Sequence, residues 1–555
     1  MQRNGRGSEG FDADVAVVGY GPTGMAMAGL LAQAGHRVLV LERYAGLYNL
    51  PRAAIFDDET MRTLDKLGIA EQMAPKLHVQ RNYEWVNAAG QLLIDHSFAE
   101  RGRSGWAEWY MMYQPELEDA LDAACRALPS LTVAHGATVV DLEQDDASVV
   151  LHVEDLDGAR RAISCRYAVA CDGGNSAVRR RLDIGEHDYG FSEPWMVCDF
   201  RLTRDVELPS ARQVGDPAKP VSIISLGPRH HRFSFMLDSA ADFEVASEPA
   251  LIWARVADYL VPDDAELIRV ATYTFRSLVA DRWRDGRIVL AGDAAHQMPP
   301  FLGQGMCSGI RDAQNLAFKF DLLLRGRRDE ELLDTYQLER EPHVRAVVEK
   351  GIELGRLQTV RDPVAAAERD RRLIAARSEG HDTGSMRFPG LHAGFLSSSP
   401  AGGRGELSIQ ADVDDAGRRG RFDEVLGRGF ALIVTAEVHR LLSSDGTADA
   451  LRSAGVVLAG VTQQAPQTVP GSVVLDVDGA YAQWFADHDA VAVAVRPDFY
   501  VYGAAADGPA ALELAAELLR DLGAATSTAS ETATATDTGT DTHALAVSLR
   551  SGASA

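Results

Sequence analysis

The first forty-two residues contain two apolar runs separated by a glycine-rich turn and a segment of small side chains. Residues 15–18 and 38–41 are apolar, and the second run ends at Glu42. Residues 19–24 include three glycines, and residues 25–34 are mostly small or apolar. Short apolar runs bounded by turn residues indicate buried strands, whereas a longer segment of this kind indicates a helix. The pattern predicts a strand, a tight turn, a helix and a second strand.

The three glycines have the spacing of the dinucleotide fingerprint. Gly19 allows the tight turn, Gly21 lets the backbone approach a pyrophosphate, and Gly24 lets the helix pack against the strand. The helix N-terminus directs unpaired N–H groups and a partial positive charge at the phosphates. A carboxylate at Glu42 is placed to accept hydrogen bonds from an adenosine ribose, which disfavours a 2′-phosphate. We therefore expect bound FAD or NAD rather than NADP.

The remaining pattern predicts alternating helices and strands up to about residue 376. An alternating segment with an internal turn predicts a β-hairpin over residues 83–98. Helices are predicted over residues 57–67, 115–128, 249–260, 329–357 and 363–376. Strands are predicted over residues 132–140, 148–154, 160–170, 196–202, 220–226, 232–237 and 268–275. The concentration of strands between residues 195 and 275 predicts a separate sheet inserted into the first domain.

The pattern changes after the Gly/Pro/Ser-rich linker at residues 397–405. Strands are predicted over residues 430–435, 472–477, 491–495 and 499–502, and a helix over residues 508–522. Their order is similar to that of a thioredoxin-like domain, but the segment contains no cysteine and hence no Cys-x-x-Cys motif. We expect a role in packing or subunit contact. Residues 523–555 are rich in Ala, Thr and Ser and predict a disordered tail.

Two further segments resemble parts of a flavin site. In residues 167–179 a strand ends at Asp172, and a short helix that carries Arg179 follows. In residues 286–306 a strand delivers Gly292 and Asp293 into a turn of small residues. A Pro-Pro pair then precedes Gly303, Gln304, Gly305 and Met306 at a predicted helix N-terminus. Asp293 is suited to hold a ribityl hydroxyl, and backbone N–H groups of the glycine loop are suited to the flavin edge that becomes negative on reduction.

With these three segments in this order, the chain resembles the single-component FAD-dependent aromatic hydroxylases, or class A flavoprotein monooxygenases. The resemblance covers residues 14–324 and, more weakly, the C-terminal part. The stretch from Met298-Pro299-Pro300 to Asn315-Leu316 is most similar to the 3-(3-hydroxyphenyl)propionate hydroxylases and to polyketide-tailoring hydroxylases. The resemblance implies cofactor contacts at Gly19, Gly21, Gly24, Glu42, Arg43, Arg52, Gln114, Asp172, Arg179, Gly292, Asp293, Gly303, Gln304, Gly305 and Met306.

The implied fold class is α/β, with a Rossmann-like FAD-binding domain of the glutathione-reductase type. It carries an inserted mixed or antiparallel substrate-binding sheet and a C-terminal thioredoxin-like domain. The predicted divisions are the first part of the FAD-binding domain at residues 11–190, the substrate sheet at 191–280, the second part of the FAD-binding domain with its long helices at 281–396, the thioredoxin-like domain at 406–522, and the tail at 523–555.

The implied reaction is hydroxylation of a phenolic substrate with O2, with NADPH or NADH as a transient electron donor, through a C4a-hydroperoxyflavin. No second dinucleotide fingerprint occurs in the sequence. The catalytic residue stays unassigned, and pocket candidates are Phe233, Phe235, Tyr273, Phe275, Pro300 and Phe301. Alternatives are an epoxidase or Baeyer–Villiger oxygenase that tailors an aromatic polyketide, and a catalytically silent flavin-binding protein.

Composition narrows the possible partners. The net charge of -25 opposes binding to nucleic acid or to an anionic membrane. Neither a signal peptide nor an apolar run of transmembrane length is visible, and the five cysteines have no metal-binding spacing. We expect a cytoplasmic protein with reduced thiols, no bound metal and a small aromatic substrate, and we leave a homodimer open.

Overall fold

The computed structural model describes residues 10–380, 388–464 and 473–524. The strands in these ranges, in chain order, are β1 Ala13–Val18, β2 Val38–Glu42, β3 Ile55–Asp57, β4 His78–Val79, β5 Asn82–Asn87, β6 Leu92–Ser97, β7 Trp109–Met111, β8 Leu131–His135, β9 Thr138–Gln144, β10 Val149–Glu154, β11 Arg160–Ala170, β12 Glu186–Leu202, β13 Ala211–Gly215, β14 Val221–Ser225, β15 His230–Met236, β16 Ala265–Ala280, β17 Arg284–Asp285, β18 Ile288–Leu290, β19 His296–Gln297, β20 Asp412–Asp415, β21 Arg418–Arg421, β22 Ala431–Thr435, β23 Val457–Thr462, β24 Val473–Asp476, β25 Ala492–Val495 and β26 Val501–Ala505.

Helices connect these strands and cover the sheets. They are α1 Pro22–Gln33, α2 Asp58–Lys66, α3 Ala70–Met73, α4 Gln114–Arg126, α5 Ala177–Arg181, α6 Phe243–Ala246, α7 Pro249–Val256, α8 Gly305–Leu324, α9 Asp334–Gln358, α10 Pro363–Ser378, α11 Phe422–Leu426, α12 Ala436–Ser444, α13 Thr447–Ser453, α14 Ala480–Asp487 and α15 Gly508–Asp521. Short 3-10 turns occur at Ala74–Lys76, Ala240–Asp242, Gly292–Ala294, Pro300–Leu302 and Glu330–Leu333. The mixed α/β fold predicted from the sequence is confirmed.

The first sheet is built around the predicted β-α-β unit. Its order is β17-β18-β11-β1-β2-β8, and β1 is parallel to both β2 and β11. Strands β9 and β10 extend the sheet from β11 as an antiparallel meander. The single strand predicted over residues 132–140 is wrong, because Gly136 adopts a positive φ of 72° and separates β8 from β9. The two halves pair with different neighbours, β8 with β2 and β9 with β10.

The second sheet forms a wall against the first. Its order is β19-β16-β12-β15-β14-β13-β5-β6, so the predicted hairpin, β5 and β6, joins the strands of residues 186–280. Strands β12 and β16 pair antiparallel along almost their whole length. Strand β13 lies between β14 and β5 and was not predicted. One face of this sheet packs with α7 in an apolar core, and the other faces the first sheet.

The third sheet is C-terminal and has the order β21-β20-β24-β23-β22-β25-β26. Strands β22, β23 and β24 are parallel, whereas β25 and β26 run antiparallel to their neighbours. Strands β20, β21 and β23 were not predicted. The likeness of this region to a thioredoxin-like domain stays a prediction, as do the domain boundaries. Most of the predicted tail, residues 525–555, lies outside the described residues.

Helix α8 is the central element between the first and third sheets. It packs closely on α1, and most of its residues are buried, including the charged Arg311, Asp312 and Lys319. The long α9 runs beside it and contributes the buried Glu339 and Arg340. Across the ranges that the structure describes, no helix combines the length and apolarity needed to cross a membrane.

Candidate active site

The glycine turn after β1 shows why each of its glycines is needed. Gly19 has a positive φ of 98°, and a Cβ there would lie 2.4 Å from the carbonyl oxygen of Cys171. A Cβ on Gly24 would lie 2.2 Å from the carbonyl oxygen of Gly19, so helix and strand pack too closely for any side chain. At Gly21 and Gly173, by contrast, a Cβ would meet nothing within 4 Å. Both of these glycines line a cavity of about 450 Å³.

Glu42 ends β2 as predicted, and its carboxylate organises the adjoining loops. One oxygen accepts the N–H of Tyr20 at 2.8 Å, and the other accepts the N–H of Tyr44 at 2.9 Å. The guanidinium of Arg43 lies 4.8 Å from the Tyr44 ring centroid and is exposed. Neither Glu42 nor Arg43 lines the cavity. Their adenosine contacts stay predictions.

Asp172 and Arg179 stabilise the backbone segments next to the cavity without lining it. The Asp172 carboxylate accepts the N–H groups of Ala177 and Val178 at the start of α5. The buried Arg179 guanidinium donates to the carbonyl oxygens of Gly174 and Ala294, each at 2.9 Å. These bonds tie the segment after β11 to the turn after β18. Neither side chain lines the cavity, whereas Gly173 does.

The turn after β18 presents Asp293 to the cavity. Gly292 has a positive φ of 60°, and its N–H donates to Asp312 at 3.0 Å. The imidazole of His296 is bonded to the same Asp312 oxygen at 2.7 Å. The Asp293 carboxylate lines the cavity and has no hydrogen-bond partner among the described residues. Desolvation by the surrounding protein raises the pKa of Asp293, while the charges of the nearby His296 and Arg52 oppose the rise.

The loop that leads into α8 follows the turn at Pro300–Leu302. Gly303 has a positive φ of 63°, and it lines the cavity together with Gly305 and Met306. The Gln304 side chain points away into the interior, where its oxygen accepts from Arg311 at 2.8 Å and its nitrogen donates to Asp57 at 3.2 Å. The Gln304 side chain therefore does not line the cavity, and the predicted contact of this loop with FAD concerns its backbone. The residue instead fixes the loop whose backbone faces the cavity.

Arg52 and Gln114 meet at the opposite side of the cavity. The Gln114 side-chain oxygen accepts the N–H groups of Arg52 and Ala53 at 2.9 and 2.6 Å. Its amide nitrogen donates to Glu118 at 2.6 Å, which fixes the orientation of the amide. The Arg52 guanidinium lies 4.1 Å from the Tyr48 ring centroid and is exposed. Both predicted residues line the cavity.

The second sheet forms one side of the cavity. Side chains alternate between its two faces, so residues two apart on a strand share a face. Phe233 and Phe235 lie on the face that packs with α7, and the prediction that they line the pocket is wrong. Ser234 between them lines the cavity, as do the predicted Tyr273, Phe275, Pro300 and Phe301.

A buried ion cluster holds the sheet against the Arg52 loop. The fully buried Asp199 accepts from Arg232 at 2.6 Å and from Arg269 at 3.2 Å. Arg232 also donates to the carbonyl oxygens of Pro51 and Arg52. Sequence reasoning missed this cluster. The available signal was the presence of charged residues inside three predicted apolar strands, since buried charges in proteins require partners.

Comparisons with known proteins agree with this architecture. The model of the FAD binding domain family matches residues 12–351, and the model of the HcaD C-terminal domain matches residues 405–521. The chain is 51% identical over 510 residues to a probable NADH-specific resorcinol 4-hydroxylase of Rhodococcus jostii, covering 91% of this chain and 94% of that protein. This chain belongs to the FAD-dependent aromatic hydroxylases.

More distant hydroxylases cover nearly the same length. A 3-(3-hydroxy-phenyl)propionate/3-hydroxycinnamic acid hydroxylase of Burkholderia vietnamiensis is 34% identical and covers 88% of this chain and 92% of its own length. The flavin-dependent monooxygenase PieE in complex with FAD and substrate has a TM-score of 0.76 at 23% identity. The structural match covers 92% of this chain and 99% of PieE. Aklavinone-11 hydroxylase, in a ternary complex with FAD and aklavinone, has a TM-score of 0.74 with the same coverage at 24% identity. These structural likenesses concern the fold.

FAD is the cofactor of this hydroxylase, and the cavity fits it in two respects. Open space lies beside Gly21 and Gly173, where the backbone can approach a pyrophosphate. The carboxylate of Asp293 has no partner in the part of the chain that the structure describes and is available to a ribityl hydroxyl. The described residues contain no cluster of three His, Cys, Asp or Glu side chains that could hold a metal ion. All five cysteines are free.

Proposed function

We propose that this enzyme hydroxylates a neutral phenol of the dihydroxybenzene class with NADH and O2, and that resorcinol is its reference substrate. The overall balance is one phenol, one O2, one NADH and one proton giving the hydroxylated phenol, water and NAD+. The proposal is supported by identity of 51% along nearly the whole chain to a protein named as an NADH-specific resorcinol 4-hydroxylase.

One structural observation carries the proposal. The FAD side and the inner face of the second sheet border the same cavity, which Trp195, Phe275 and Phe301 line with aromatic rings. Trp195 is buried, and its ring centroid lies 6.0 Å from that of Phe275 and 5.9 Å from that of Phe301. Such an apolar lining suits a flat aromatic ring and excludes water from the reacting atoms.

Two of the arginines that line the cavity are already bonded within the protein. Asp199 neutralises part of the charge of Arg232 and Arg269, whose remaining donors bond to backbone oxygens and to Tyr273. Arg276 also lines the cavity and is exposed, with no ion pair among the described residues. It supports a second candidate, a phenol with a carboxylate side chain, because a guanidinium binds a carboxylate in a bidentate manner.

The protein contributes binding, orientation and exclusion of water. Bound FAD supplies the redox chemistry that couples NADH oxidation to insertion of one oxygen atom into the ring. Asp293, Arg52 and the 303–306 loop would hold it. The described lining contains no histidine, and its carboxyl group is Asp293. His231 lies on the opposite face of the second sheet, the face of Phe233. Its burial lowers its pKa to about 4 and keeps it neutral at pH 7.

The test compares resorcinol with 3-(3-hydroxyphenyl)propionate as stimulants of NADH oxidation by the FAD-loaded enzyme, with O2 uptake and product mass measured in parallel. We expect a higher kcat/KM for resorcinol and a product one oxygen atom heavier. A higher kcat/KM for the propionate, lost in Arg276→Gln, would favour the second candidate. Absence of turnover with every phenol would contradict both.

A further inference from the structure

Two cavity-lining side chains carry buried polar atoms that the protein leaves without a partner. Gln213 on β13 is 3% exposed, and its amide nitrogen donates to the Ser222 hydroxyl at 2.8 Å. Its oxygen is buried and has no hydrogen-bond partner among the described residues. Trp195 on β12 is 1% exposed, and its indole N–H is likewise buried without a described partner. Both residues line the cavity.

The sheet register explains how a polar group reaches this position. Gln213 is opposite Ser222, Ser222 is opposite Ser234, and Ser234 is opposite Val197 on β12. Gln213, Ser222 and Ser234 therefore form a polar row across three adjacent strands on the cavity face. The next positions along the strands, including Ile223 and Phe233, belong to the apolar core on the other face. The polar row is confined to the side that a substrate reaches.

Neighbouring groups do not satisfy the Gln213 oxygen. Tyr83 on β5 also lines the cavity, but its hydroxyl donates to the carbonyl oxygen of Phe301 at 3.3 Å. Burial raises the Tyr83 pKa, while the side chains of Trp85 and Gln213 oppose the rise. Ser222 is the acceptor for the Gln213 nitrogen, so the amide is held with its oxygen free. Leaving a buried acceptor unpaired is costly, which points to a ligand that pairs with it.

We infer that the Gln213 side-chain oxygen accepts a hydrogen bond from a phenolic hydroxyl and that the Trp195 indole N–H donates one to a phenolic oxygen. The inference rests on the proposed function and specifies how the phenol is recognised. Phenolic hydroxyls both donate and accept, so one acceptor and one donor match their hydrogen-bonding capacity. Gln213 acts as a substrate-binding and specificity-determining residue. A neutral amide orients the hydroxyl but does not remove its proton.

The test measures equilibrium binding of resorcinol and 1,3-difluorobenzene to the FAD-loaded enzyme by calorimetry. Fluorine is close to a hydroxyl in size but does not donate a hydrogen bond. A site built to hydrogen-bond a hydroxyl rejects an analogue that lacks it, so we expect resorcinol to bind about tenfold more tightly. Gln213→Leu and Trp195→Phe should each reduce this ratio severalfold by weakening resorcinol binding. Binding of 1,3-difluorobenzene should change less.

The chain offers matched controls. The fully buried Gln358 oxygen and the buried Trp484 N–H likewise have no partner within the described ranges, yet neither residue lines the cavity. Gln358→Leu and Trp484→Phe should keep the wild-type ratio. A ratio unchanged in both Gln213→Leu and Trp195→Phe would overturn the inference.

The wild-type enzyme provides a test that does not depend on the folding of any variant. Equal binding of resorcinol and 1,3-difluorobenzene would also overturn the inference, even when resorcinol is hydroxylated. Failure to bind or hydroxylate any phenol would instead contradict the proposed function, so the two failures are distinguishable.

Discussion

Single residues in and around the cavity are distinguished by whether their polar groups already have a protein partner. Arg179, Gln304 and Arg232 donate to protein oxygens and act as supports. Asp293 and the Gln213 oxygen have no partner among the described residues and line the cavity, where Asp293 is exposed and the Gln213 oxygen is buried. Both groups are available to ligands, and for the Gln213 oxygen a ligand would also offset the cost of burying an unsatisfied polar group.

Asp293→Ala should weaken FAD binding by about tenfold to a hundredfold, because a hydrogen bond to a charged group contributes about 1.5–3 kcal/mol. The measurement is the Kd of FAD for the apoenzyme, followed by quenching of flavin fluorescence. Asp238→Ala serves as a control, since its side chain is 87% exposed and does not line the cavity. An Asp293→Ala variant with wild-type affinity would contradict the proposed ribityl contact.

Asp58 at the start of α2 should make the fold less stable at alkaline pH. Burial and the charge of Asp57 raise the Asp58 pKa to about 7, although the N–H of Ser104 opposes the rise. Because the folded state holds this proton more tightly than the unfolded state, the contribution to stability falls as pH rises from about 4 through 7. Urea unfolding at pH 6 and 8.5 should show a smaller loss of stability in Asp58→Asn than in wild type. An identical loss would contradict this assignment.

At the scale of elements, α8 connects the cofactor loop to the rest of the molecule. Its Asp312 bonds to His296 and Arg340, its Arg311 bonds to Glu59 at 2.6 Å, and its Lys319 lies 3.0 Å from Glu339. Because α8 begins at Gly305, these ion pairs fix the helix end that lines the cavity. Breaking them should disturb both stability and the cofactor site.

Glu339→Gln should lower the free energy of unfolding by about 3–5 kcal/mol, because it leaves the buried Lys319 without its carboxylate and leaves Arg496 with Asp498 alone. Burial opposes ionisation of Glu339, but Arg496 and Lys319 outweigh it and lower its pKa to about 2. The contribution is therefore present above about pH 4.5 and lost as pH falls toward 2. Glu353→Gln, which breaks an exposed pair with Lys350, should cost less than about 1 kcal/mol. Equal costs in denaturant unfolding would contradict the account.

Elements with a simple hydrophobic period could be predicted from sequence. The β-α-β unit, the hairpin and the long helices follow directly from their spacing. Strand β13 reads Ala-Arg-Gln-Val-Gly and was missed because its cavity-facing position is polar. Phe233 and Phe235 were assigned to the pocket for the same reason, because the apolar positions of this strand were expected to face the cavity. Both faces of the sheet are covered, and the apolar face is the structural core while the partly polar face lines the cavity.

At the scale of the whole molecule, the C-terminal sheet is joined to the cofactor region by buried ion pairs. Arg62 of α2 forms a bidentate pair with Asp423 of α11 at 2.8 and 2.9 Å, and both side chains are buried. Arg496 after β25 pairs with Glu339 of α9. Such contacts depend on side chains distant in sequence, so no local pattern predicts them.

Arg62→Leu should destabilise the cofactor region and the C-terminal sheet together. It leaves Asp423 buried without its partner, at a cost of about 3–5 kcal/mol. Calorimetry and flavin fluorescence, recorded on the same heating scan, should show one transition that shifts to lower temperature in the variant. Flavin release that stays at the wild-type temperature while another transition shifts would contradict this coupling.

The central claim is that one cavity brings FAD, a phenol and O2 together. The most direct measurement follows NADH consumption, O2 uptake and product formation by the FAD-loaded enzyme with resorcinol under isotopically labelled O2. The account predicts equal amounts of NADH, O2 and product, with one labelled oxygen atom in the product. NADH consumption that resorcinol does not stimulate, or stimulated consumption that yields only peroxide, would contradict it.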